Sequence, residues 1–134
     1  KDYQPAFEVF KRAYELDTTF REAQILYGVG SIYINYNNLA NEIFAPIDQE
    51  VLLFDNRIVA ALVDTGRYSD LVGIFENRMQ TERGRKDPQT SISLAVSYVQ
   101  VGQKAKAIQV LNQLVLENPA YKDQVEAYIK QISS

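Results

Sequence analysis

Apolar residues recur along this chain at steps of three and four. Ala107, Ile108, Leu111, Leu114 and Val115 share one helical face, as do Val59, Leu62 and Val63. The most regular stretch, 94–119, reads Leu94-Ala95-x-x-Tyr98-x-x-x-Gly102-x-x-x-x-Ala107-x-x-x-Leu111-x-x-Leu114-x-x-x-x-Pro119. That spacing describes two antiparallel helices joined at Gly102. Small residues, Ala95 and Ala107, stand where the helices must approach, and large ones fill the space between. Extended along the chain, the periodicity predicts an all-α protein of about eight helices, at 3–16, 20–35, 38–45, 49–65, 68–83, 88–101, 104–117 and 120–132. No segment gives comparable support for a strand.

The order of small and large positions in 94–119 resembles a tetratricopeptide repeat. Gly66 precedes Gly102 by 36 residues, close to the family period of roughly 34. Around it, Ile58, Leu62, Tyr68, Leu71 and Phe75 repeat the same order of roles, with Leu71 where the later unit has Ala107. Upstream, Ala23-x-x-x-Tyr27-Gly28 and Ala40-x-x-x-Phe44-x-x-Ile47 form another unit, with Asn35 in the register of the turn glycine. Asparagine is the side chain that best replaces glycine in a left-handed turn. Ala6-x-x-x-Phe10-x-x-Ala13-x-x-Leu16 matches only the second helix of a unit. The resemblance therefore implies a single domain over 1–134. It comprises a truncated repeat (1–19), three repeats (20–48, 49–85 and 86–119) and a capping helix (120–134), wound as a right-handed α-α superhelix of antiparallel helix pairs.

Local punctuation agrees with these limits. Asp87-Pro88 and Asn118-Pro119 each place a capping acceptor before a proline at a first helical position. Thr19 with Glu22 is a candidate capping box. Gly66 and Gly102 are suited to end helices in the left-handed conformation. Pro46 must close a helix, leaving Asp48 to cap the next one from about residue 49.

Composition narrows the chemistry. The chain has 134 residues, no Cys and no His. Disulfides, thiolate or imidazole metal sites, Cys nucleophiles and histidine bases are therefore absent, and the chain suits an oxidising or a reducing compartment equally. A formal charge of −3 argues against nucleic acid, which calls for clustered cations. The densest basic stretch, 78–86, is diluted by Glu76, Glu82 and Asp87. Asp55 and Asp64, nine apart, and Glu8 and Glu15, seven apart, form no convergent carboxylate pair. No apolar run approaches the roughly 20 residues of a membrane span. An opening at Lys1 directly into helix-like sequence suggests an excised domain.

In the family that the chain resembles, first helices line a concave groove. The resemblance puts Glu22, Ile25, Val29, Ile32 and Tyr33, then Leu53, Asn56, Ala60, Val63 and Asp64, then Gln89, Ile92, Val96, Val99 and Gln100 on that groove. It implies a non-catalytic scaffold that holds a protein or peptide, with no cofactor and no metal. Chaperone-binding members grip a terminal carboxylate with Lys and Asn where this chain has Ile25 and Val29, so that clamp is not expected. Tyr98 and Tyr68 are explained as core by the repeat pattern, whereas Tyr33 and Tyr36 are candidate ligand contacts. The region 56–68, the repeat over 91–119 and the ending 121–132 are also similar to tetratricopeptide tails of polytopic bacterial glycan polymerases and ligases of the O-antigen type. That likeness implies a spacer or a self-association surface outside a membrane. An unpaired apolar face at the truncated first repeat would be the place for homo-oligomer formation.

Overall fold

The computed structural model describes residues 2–134, and among them the ordered elements are all helical. They are α1 (Gln4–Leu16), α2 (Arg21–Tyr33), α3 (Asn37–Phe44), α4 (Gln49–Leu53), α5 (Asn56–Asp64), α6 (Tyr68–Met79), α7 (Glu82–Lys86), α8 (Pro88–Gln100), α9 (Lys104–Glu117) and α10 (Lys122–Ser133). A 3-10 turn at Pro119–Tyr121 leads into α10. The all-α expectation holds, with ten α-helices among the described residues instead of about eight.

Both additional helices arise from side chains that compete with a continuous helix. The segment expected as one helix over 49–65 breaks at Asp55, whose carboxylate accepts from the Arg57 backbone N–H at 2.9 Å and starts α5. The segment expected over 68–83 breaks at Thr81. Its hydroxyl donates to the Arg78 carbonyl at 2.7 Å and accepts from the Gly84 N–H at 3.0 Å. Only glycine fits at 84, because a Cβ there would lie 1.9 Å from the Arg78 carbonyl oxygen.

Three turns carry the expected left-handed residue, with φ of 67° at Asn35, 71° at Gly66 and 79° at Gly102. At Asn35 the Tyr36 N–H reaches the Ser31 carbonyl at 2.7 Å and the Asn35 N–H reaches Ile32 at 3.0 Å. At Gly102 the same pair of bonds runs from Gln103 to Tyr98 at 2.8 Å and from Gly102 to Val99 at 3.1 Å. Both are Schellman closures, so Asn35 performs the glycine's task. Asp48 and Asp87 cap α4 and α8 as expected, and α3 ends before Pro46. Two expected caps do not form. Thr19 gives its N–H and hydroxyl to Asp17, so α2 begins at Arg21 without a side-chain cap. Asn118 makes no side-chain cap, and Pro119 opens the 3-10 turn.

The helices group into two compact units, one running to Gly66 and one from Arg67 to Ser134. In the first, Phe7, Tyr27 and Ile43 form a buried cluster flanked by Phe10, Tyr14, Ile34 and Leu39. The rings of Tyr14 and Tyr27, 5.0 Å apart, and of Tyr3 and Tyr33, 4.3 Å apart, show that α1 runs antiparallel to α2. A Cβ at Gly28 would meet the Phe44 ring at 2.2 Å, so this glycine admits the aromatic side chain of α3. In the second unit, α8 packs between α6 and α9. Ala95 and Ala107 are fully buried beside Leu71, Phe75, Leu94, Tyr98, Leu111 and Leu114. The small residues expected at the α8–α9 approach are therefore in the core, as is the large Leu71.

Candidate functional site

Within the first unit, α1, α2 and α5 enclose an open cavity of about 300 Å³. Tyr3, Ala6 and Phe10 line it from α1 and its N-cap, Leu26, Val29, Gly30 and Tyr33 from α2, and Arg57 and Ala60 from α5. Its walls are aliphatic and aromatic. Gly30 lets α1 pack close against α2, since a Cβ there would press on the Phe10 ring at 3.1 Å.

Two cross-links at different levels join α2 to α5. Arg57 donates from one nitrogen to both oxygens of Glu22, at 2.9 and 2.8 Å, and from another to Asp55 at 2.8 Å. The Tyr33 hydroxyl donates to Asp64 Oδ2 at 2.7 Å. Because both partners advance together along the sequence, α2 and α5 lie side by side and parallel. The Arg57 guanidinium, through its hydrogen bonds, holds the Asp55 carboxyl below its ordinary range. Its own affinity for a proton is raised by Asp55 first and Glu22 second. Burial, reinforced by Asp64, pushes the Tyr33 phenol up to about 12.

The structure sorts the residues expected on a groove into distinct environments. Val29, Tyr33 and Ala60 meet at this cavity, with Asp64 attached through Tyr33. Ile25, Ile32 and Leu53 are buried core side chains with almost no accessible surface. Asn56 is exposed on α5, and Val63 is 43% exposed at the C-terminal end of the same helix. Glu22 is committed to Arg57. In the second unit, Ile92 and the 39%-exposed Val96 line a cavity of about 270 Å³ with Leu111 and α10 residues Gln124, Val125, Ala127, Tyr128 and Gln131. Gln89 and Gln100 are exposed and Val99 is half-buried, and none of the three lines that cavity.

The tyrosines divide similarly. Tyr98 is buried, and its hydroxyl donates to Glu76 at 2.5 Å, with burial first and that bond second pushing its phenol up to about 12. Tyr36 is exposed, its ring set edge-on to Phe7. The basic stretch is locally engaged. Arg78 lies over the Phe75 ring at 5.0 Å, Lys86 pairs with Glu82 at 2.7 Å, and Arg85 donates to the Gln80 carbonyl at 3.0 Å.

The sequence pattern marked Phe10 only as a large position of the truncated repeat, and Arg57, Tyr3, Leu26 and Gly30 not at all. A signal for Arg57 exists: it stands 35 residues after Glu22, about one repeat, which puts opposite charges at one level of successive first helices. Tyr3 gave none, and Phe10 none that pointed to a cavity, because their role there depends on how α1 lies on α2. Among the described residues, no group of three or more acidic side chains could hold a metal ion, and no helix is long and apolar enough to cross a membrane. No family model matches the chain, and no curated protein or solved structure matches it.

Proposed function

We propose that the chain is a tetratricopeptide-like helical-repeat module with no catalytic role of its own, which holds a peptide segment of a protein partner in the cavity of its first unit. One observation carries this reading: an open, apolar cavity of about 300 Å³ whose mouth bears charged and hydroxyl groups. Ligand pockets generally combine apolar walls with a few placed polar groups, and this volume is at the small end of their range, suited to one or two side chains. Burying a Leu or Phe side chain contributes about 1.5–3 kcal/mol. A micromolar complex requires about 8 kcal/mol, so the mouth must contribute as well as the walls. The matched turns at Asn35 and Gly102, the parallel α2 and α5, and the small residues at helix approaches support the repeat assignment.

Ala60 is exposed and lines the cavity, so Ala60→Trp fills the space without entering the core. The wild-type chain, immobilised and exposed to a random library of short synthetic peptides, is expected to retain a restricted set. Ala60→Trp, with unchanged helical circular dichroism, is expected to retain none of it. Retention of the same set by both proteins would overturn this reading.

A further inference from the structure

We infer that the cavity between α1, α2 and α5 selects a basic amphipathic segment, one that inserts an apolar side chain and presents a neighbouring Lys or Arg to Asp64. The inference rests on the peptide-binding reading above and specifies the partner's chemistry. The guanidinium of Arg57, which lines the cavity, is already shared between Glu22 and Asp55. Asp64, joined to the cavity wall through the Tyr33 hydroxyl, has no ion pair among the described residues. Among the described residues, three carboxylates are thus bonded to the cavity lining, Glu22 and Asp55 through Arg57 and Asp64 through Tyr33, against the one guanidinium of Arg57, and an acidic segment would be repelled where a basic one is drawn in.

The fold itself does not account for the charge on Asp64. It is the last residue of α5, where the helix carbonyls point outward and a carboxylate is electrostatically disfavoured. Its structural task, accepting the Tyr33 hydroxyl proton, would be performed equally by an asparagine oxygen. A carboxylate at an unfavourable helix end, exposed beside an apolar cavity, has electrostatic capacity left for a cation from outside. The small, exposed residues Ala6 and Ala60 let the backbone of an incoming segment come close, and the rings of Tyr3, Phe10 and Tyr33 provide faces for its apolar side chain.

An array of short synthetic peptides tests the proposal, each with a central Leu, Ile or Phe flanked by Lys and Arg, by Gln, or by Asp and Glu. The tightest member of the array is then titrated in solution by fluorescence anisotropy. The basic set is expected to bind. Asp64→Asn should weaken its best member about tenfold, equivalent to 1.4 kcal/mol, with the difference shrinking as salt rises. Equal binding of the Gln-flanked set, or no effect of Asp64→Asn while Ala60→Trp abolishes binding, would overturn the charge selection and leave the peptide-binding reading standing. Binding by none of the three sets would overturn both. Self-association in analytical ultracentrifugation that Ala60→Trp removes would assign the cavity to a second copy of the chain and likewise overturn the proposal.

Discussion

Asn35 makes the turn after α2 with φ of 67° and both backbone bonds of a glycine closure. Left-handed backbone costs a Cβ-bearing residue roughly 1–2 kcal/mol, and asparagine recovers part of this through local hydrogen bonding. Here its side-chain oxygen accepts from Asn37 at 3.0 Å. Asn35→Ala is therefore expected to lose about 1 kcal/mol, and Asn35→Gly to remain within about 0.5 kcal/mol of wild type. Urea unfolding midpoints read both, and equal losses for the two variants would contradict the account. This residue was legible in the sequence because the sign of φ is a local property, and the three asparagines 35, 37 and 38 mark it. Ile25 and Ile32 were not so legible. Their side chains are as apolar as a groove floor requires, and only the packing around α2 buries them in the core.

At the scale of elements, α5 shows what one carboxylate can organise. Asp55 caps the helix, breaks it from α4 and binds the Arg57 that reaches across to α2. Removing a side-chain cap costs about 0.5–2 kcal/mol, whereas an exposed ion pair such as Glu22–Arg57 contributes at most about 1 kcal/mol. Asp55→Ala is accordingly expected to destabilise by about 1–2 kcal/mol and Glu22→Ala by less than 1 kcal/mol, in denaturant unfolding at moderate salt. The reverse order would mean that the cross-link outweighs the cap. Helix existence was legible from apolar periodicity, and the ends at Pro46, Asp48 and Asp87 from punctuation. The interruptions at Asp55 and Thr81 escaped because these residues are acceptable on a helix surface. They become breaks only when their oxygens take a backbone N–H, and at Thr81 only because Gly84 allows the chain to close on Arg78.

For the whole molecule, a tyrosine bonded to a carboxylate in each unit, the half-buried Tyr33 and the buried Tyr98, makes stability depend on alkaline pH. Tyr33 and Tyr98 are both pushed up to about 12 from the ordinary 10. A raised phenol pKa favours the protonated, folded form, so this stabilisation is complete below pH 10 and is lost as pH rises from 10 to about 12. Discounted for solvent screening, the expected loss is about 1–2 kcal/mol for the buried Tyr98 and less for the half-buried Tyr33, read from urea unfolding at stepped pH. Tyr33→Phe and Tyr98→Phe should each flatten the decline, and an unchanged decline in both would contradict the assignment. The sequence by itself determined the helical class, the three turns and the caps at Asp48 and Asp87. These depend on hydrogen bonds and backbone angles that involve residues only a few positions apart. Tertiary structure decided which apolar faces became core, why Arg57 matters and where a cavity opens between α1, α2 and α5. The reason is physical: a helix's own residues set its periodicity, but only the side chains of other helices decide which of its faces are covered, paired or left open.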